Sequence, residues 1–203
     1  MKRLFYLLFF VSFISFSQIR YYRINYTNLP QSIELTENNG VIKGIIITKL
    51  DKGSWNINCF NRSWRKFWKI KPKGITIINQ INEEVSKDLM LQLKSDGIET
   101  IKNCKDDLNC ENINFLDGSS TSFKIKTEKI DREYYFSEIY PISKDHIETN
   151  EIRKQAQNII TTMNQFINLK ENFSNVIKQL PSGKYYYFNG NSICQINHKK
   201  NKL

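Results

Sequence analysis

Seven apolar residues, Ile152, Ala156, Ile159, Ile160, Met163, Phe166 and Ile167, recur at spacings of three and four. That is the period of one face of an α-helix. Phe173, Val176, Ile177 and Leu180 continue the pattern at a shifted phase, which predicts a kink or break near Asn168, and Pro181-Ser182-Gly183 stops it. Asp145 with Glu148 three residues on reads as a capping box at its start. Such a helix carries an apolar stripe that must be buried against something else. The chain offers few other helices, so the partner has to be a sheet.

Ile19–Thr27 is rich in aromatic and β-branched residues and reads as a strand. Ser32–Thr36 and Val41–Leu50 flank Asn39-Gly40, the strongest short hairpin signal. Trp55–Phe60 and Ile75–Ile78 read as further strands. Asn82 can cap a second helix, with Glu83 and Glu84 in its first turn, Val85, Leu89 and Leu93 as its buried stripe, and Gly97 as its left-handed stop. Ile98–Lys102 then reads as a strand, and Asp117-Gly118 as a turn. Ser122–Ile130 alternates and turns at Asp131-Arg132 into Glu133–Tyr140. Lys184–Ile196 reads as a last hairpin about Asn189-Gly190, with a loose basic tail from His198. The order predicts an α+β fold: a mainly antiparallel sheet with two amphipathic helices packed on one face.

The chain opens with Lys2 and Arg3, an almost unbroken apolar run from Leu4 to Phe16, and Ser15-Phe16-Ser17. These are the three parts of a secretory signal peptide over residues 1–17, cut before Gln18. A membrane-spanning helix needs about 20 apolar residues, and this run is broken by Gln18 and Arg20. The expectation is a single exported domain over 18–203, periplasmic or extracellular, with no transmembrane segment. Losing Lys2 and Arg3 lowers the formal charge from +10 to +8. That balance suits an acidic protein or an anionic envelope polymer. Export and the absence of any recognised motif argue against nucleic acid.

Cys59, Cys104, Cys110 and Cys194 all lie in the exported part, where an even count favours disulfides. Four cysteines allow three pairings. Loop length favours Cys104–Cys110, a ring that chain-entropy arithmetic values at about 2 kcal/mol, which leaves Cys59 for Cys194. Zinc sites usually space cysteines two to four apart with other ligands nearby; here the spacing is five, and His146 and His198 are far off. A calcium loop starting at Asp107, Asn109 and Glu111 would need Gly at Asn112 and Glu at Gly118. No C-x-x-C is present. No metal or cofactor is therefore expected.

The candidate contact surface is the stretch Ser63–Lys73, where Trp64, Phe67 and Trp68 stand among Arg65, Lys66 and Lys69. Cations attract an acidic polymer while rings stack on it. Trp64, Trp68 and Ile70 also share strand parity, so the same rings can serve as core. Tyr134-Tyr135 and Tyr185-Tyr186-Tyr187 fit half-buried strand positions. No G-x-S-x-G is present. Carboxylates for a glycosidase-type pair exist at Asp106, Asp107, Glu111 and Asp117.

The signal ending in Ser17-Gln18, the Asn- and Lys-rich composition, and the run from Leu116-Asp117-Gly118 through FKIKTEKIDREYYFSEIYP into an amphipathic helix resemble small secreted proteins of Bacteroidetes-type bacteria. The resemblance covers most of the exported chain and contains no catalytic motif. It implies a place in the periplasm or outside the cell and transfers no functional residues. The expected function is non-enzymatic: an envelope-associated or secreted binding protein. The alternatives are an immunity or inhibitor protein that blocks a toxin or hydrolase, and a hydrolase using the 106–117 carboxylates.

Overall fold

The computed structural model describes residues 19–26, 29–53, 73–111, 113, 120–189 and 192–199. The signal segment, the Trp55–Phe60 strand, Cys59, the Trp64–Lys69 surface and the Asp117-Gly118 turn lie outside them.

Among the described residues eight strands form one antiparallel sheet: β1 Arg20–Asn25, β2 Gln31–Asn38, β3 Val41–Lys52, β4 Lys73–Ile81, β5 Ser120–Lys126, β6 Asp131–Ser137, β7 Gly183–Phe188 and β8 Ile193–His198. The main path runs β6-β5-β1-β2-β3, with β4 on the far edge of β3. Strand β3 is longer than its neighbour β2, which pairs with Val41–Thr48. Asp51 and Lys52 then receive Tyr186 and Tyr185 of β7 while β4 still occupies their other edge. The β7–β8 hairpin thus continues the sheet beyond the end of β2.

The α-helices among the described residues are α1 Glu83–Ser95, the single turn α2 Leu108–Glu111, α3 Glu151–Phe166 and α4 Leu169–Gln179. On one sheet face Tyr22, Ile24, Ile33, Leu35, Ile46, Phe123, Ile125 and Phe136 join Leu89 and Leu93 of α1 and Ala156, Ile159, Ile160 and Met163 of α3 in one core. Each fully buried large side chain there contributes roughly 1.5–3 kcal/mol. The expected arrangement, two amphipathic helices on one face of an antiparallel sheet, is the one observed. A smaller core of Leu50, Phe173, Leu180 and Tyr185 lies under α4, with Phe173 edge-on to Tyr187 at 5.3 Å.

Gly44 lets α1 approach β3: a Cβ there would lie 2.5 Å from the Ser86 hydroxyl and 3.0 Å from Leu35. Asn82 caps α1 by accepting from the Glu84 amide at 2.8 Å. Gly97, at φ +85°, ends it as expected. The break near Asn168 is real. Ile167 leaves helical geometry, and Asn168 caps α4 through the Glu171 amide at 3.0 Å.

Several expectations need correction. Ile98–Lys102 is not a strand. The amide of Ile98 returns to the Leu93 carbonyl at 3.0 Å, and this turn sends Ile98 and Ile101 into the core. The β5–β6 turn sits at 127–130 rather than at Asp131-Arg132, because the Thr127 hydroxyl accepts from the amides of Lys129 and Ile130. Phe166, expected in the buried stripe, is 37% exposed at the helix end, and Ile167 is buried. Asp145 and Glu148 form no capping box; Asn150 caps α3 instead. His198 is not in the loose tail but closes β8 opposite Gly183.

Candidate contact surface

Beyond β6 the chain leaves the sheet. Residues 138–150 carry no regular strand, so their backbone polar groups need other partners. Three side chains of α3, four residues apart and therefore on one face, supply them. Arg153 grips Glu148 with two bonds, Nε to Oε2 at 2.7 Å and a terminal nitrogen to Oε1 at 2.6 Å. It also donates to the carbonyls of Ser137 at 2.9 Å and Glu138 at 3.5 Å. Gln157 donates to the carbonyls of Tyr140 and His146, at 3.1 and 3.0 Å, and accepts from the Glu148 amide at 2.9 Å. Thr161 accepts from the Ile142 amide at 2.9 Å. Arg153 and Gln157 are each only 2% exposed.

This polar ladder holds a small hairpin. Ser143 and His146 exchange backbone bonds at 3.2 and 3.3 Å around Lys144-Asp145. The His146 ring packs at a tilt of 38° against Tyr140, with centroids 5.3 Å apart. Ile142 and Ile147 flank the bridged pair and are 49% and 68% exposed. Two large apolar side chains therefore stand in water on a loop whose shape is set from beneath.

A second rigid turn lies at the expected clamp. Cys104 and Cys110 are joined by a disulfide with their Cα atoms 5.0 Å apart. Between them Cys104–Asp106 forms a 3-10 turn that leads into α2. The Asp107 carboxylate accepts from the Cys110 amide at 2.8 Å, so it serves as a local cap. Asp106 and Glu111 are exposed. Leu108, within the ring, is 75% exposed. Among the described residues no three His, Cys, Asp or Glu side chains gather as a metal site. Cys194, half-buried on β8 opposite Tyr187, has no disulfide partner among the described residues, and its expected partner Cys59 lies outside them.

One further charged cluster borders a cleft of about 230 Å³ lined by Ile19, Arg20, Glu99, Lys129 and Ile130 among others. Arg20 donates to Glu37 at 2.8 Å and to Glu99 at 3.2 Å. Tyr22 donates to the same Glu99 oxygen at 2.5 Å. Burial, and then this bond to a carboxylate, raise the Tyr22 phenol well above the usual tyrosine range. Both carboxylates are thus engaged by one guanidinium, and the cluster ties β1 to β2 and to the turn after α1.

Of the tyrosines, Tyr134, Tyr185 and Tyr186 are buried, and Tyr135 is 60% exposed. Reading the sequence missed the ladder because it treats polar helix residues as solvated. The available signal was Arg153, Gln157 and Thr161 at a strict spacing of four beside the apolar stripe. Among the described residues no helix is long and apolar enough to cross a membrane. No protein-family model, curated protein or solved structure matches the chain.

Proposed function

We propose that this is an exported, non-enzymatic binding protein whose partner is another protein. The observation that carries the reading is the disulfide-clamped turn. A covalent ring of this size rigidifies a segment and belongs to an oxidising compartment. Here its only buried residue is Cys110, while Leu108 is presented to water. Holding an exposed apolar side chain in one geometry lowers the ordering cost of a contact. The basic aromatic residues Trp64, Arg65, Lys66, Phe67, Trp68 and Lys69 are assigned to the same role, drawing an acidic partner or envelope polymer.

An inhibitor or immunity role is the second reading. It is favoured by the disulfide-clamped turn at 104–110, since rigid loops suit the clefts of other proteins.

The test is a pull-down from native envelope and culture fractions with the folded exported chain, at low and moderate salt. Retention of one abundant protein at moderate salt, reduced in the Cys104→Ser/Cys110→Ser variant, is the expected result. Broad capture that washes off as salt rises would mean that the positive charge acts without specificity, and would sink the proposal.

A further inference from the structure

We infer that a second copy of this chain pairs edge to edge with β4, antiparallel and in a register centred on Ile78; this goes beyond the protein-binding reading above and does not depend on it. Among the described residues β4 bonds only to β3, and the register between them runs unbroken from Gly44↔Ile81 to Lys52↔Lys73. The other edge of β4 is therefore a regular row of backbone donors and acceptors, with no bulge to interrupt it. Proteins blunt such an edge with charges, prolines or a covering helix. From Gly74 to Ile81 β4 has no charge and no proline, and four of these eight residues are isoleucine. Helix α1 does not cover the edge, because it packs back over β3, where Ser86 meets Gly44. By contrast β6, at the far edge of the sheet, carries Asp131, Arg132 and Glu133 in a row.

The edge is complementary to itself. A two-fold axis through Ile78 sets that residue against its own copy and Ile75 against Ile81, so apolar meets apolar at three positions. Ile78 is 55% exposed and already lies beside Ile47 of β3. Pairing extends these two into a row of four isoleucines across the join. The same register brings Lys73 of each copy to Glu83 of the other. Both residues are exposed, and neither has an ion-pair partner among the described residues. Centring on Ile77 instead loses these matches, since it sets Ile75 against Asn79 and Lys73 against Ile81. A strand of an unrelated protein could fill an open edge, but it gives no reason for the edge to match itself in apolar and charged residues alike. A two-fold pairing also closes, so no second β4 edge is left to propagate a fibre.

The experiment is sedimentation of the purified exported chain over a range of concentrations. The expected result is a monomer–dimer equilibrium for the wild type and a monomer at the same concentrations for Ile78→Lys, which sets like charges directly opposite each other. Ile78→Thr, a milder change at an exposed strand position, should weaken the dimer about tenfold and serves where lysine disturbs the fold. Lys73→Glu should weaken it about fivefold, and Lys73→Glu/Glu83→Lys should restore it. Circular dichroism of every variant should match the wild type.

A wild-type monomer at every concentration overturns the inference, including where β4 then takes up a strand of another protein. A dimer that survives both changes at Ile78 places the contact on a different surface and overturns it too. So does a charge exchange that leaves the Lys73→Glu loss unrepaired, because the edge would then pair in another register.

Discussion

Replacing Arg153 by Met removes the guanidinium that lies 2.6 and 2.7 Å from the Glu148 oxygens and 2.9 Å from the Ser137 carbonyl. Arg153 is 2% exposed and Glu148 has 20% of its side chain accessible. Breaking a buried pair from one side costs about 3–5 kcal/mol, because the other charge stays behind without a partner. Partial access of water to Glu148 puts the expectation at the low end, about 3 kcal/mol. For a chain of this size that lowers the melting temperature by roughly 6–12 °C. The double variant Arg153→Met/Glu148→Met should recover most of the loss, since no charge is then stranded. It should keep a residual deficit of about 1 kcal/mol, the low end of the cost of unsatisfied buried groups, from the orphaned carbonyls. Denaturant unfolding followed by circular dichroism and by tryptophan fluorescence gives the full cycle. A cost below about 1 kcal/mol for Arg153→Met, or a double variant as unstable as the sum of the two singles, would show that the ladder does not hold the loop.

Other expectations follow from single sites. Gly44→Ala forces Ser86 and α1 away from β3 and should destabilise by about 1–3 kcal/mol, measured by the same unfolding assay; an unchanged midpoint refutes the close packing. Cys104→Ser/Cys110→Ser should lower stability by about 2 kcal/mol while the far-ultraviolet spectrum is kept, and loss of the whole fold would mean the clamp does more than close a turn. Burial, with the charge of Glu34 adding to it, pushes the Tyr21 phenol up to about 12. The folded chain therefore keeps that proton when the unfolded chain has released it. Stability should be full below pH about 10 and fall as pH rises through about 12. Tyr21→Phe should flatten that decline, and an identical alkaline profile in the variant refutes the assignment.

Most of the fold could be read from local pattern. The β2–β3 hairpin follows from Asn39-Gly40, α1 from Asn82 and the Leu89–Leu93 stripe, and the α3–α4 break from the phase shift at Asn168. These signals work because capping and turn chemistry act within a few residues. The errors arose where distant parts compete. Ile98–Lys102 has strand composition, but core space next to α3 drew Ile98 and Ile101 into a turn. Asp145 and Glu148 have the spacing of a capping box, but Arg153 took the Glu148 carboxylate and left the cap to Asn150.

The sequence by itself determined the class of the protein: antiparallel strands, two amphipathic helical runs, a basic chain and a short cysteine ring. Each of these depends on residue type and period, which survive without knowing what meets what. The tertiary structure decided the rest. It placed β1 between β2 and β5, seated β7 on the end of β3, and turned three polar residues of α3 inward to hold Ile142 and Ile147 in water. Buried hydrogen-bond satisfaction is a property of the assembled interior, where a backbone group without a strand must find a side chain from elsewhere. No local window of sequence contains both members of such a pair.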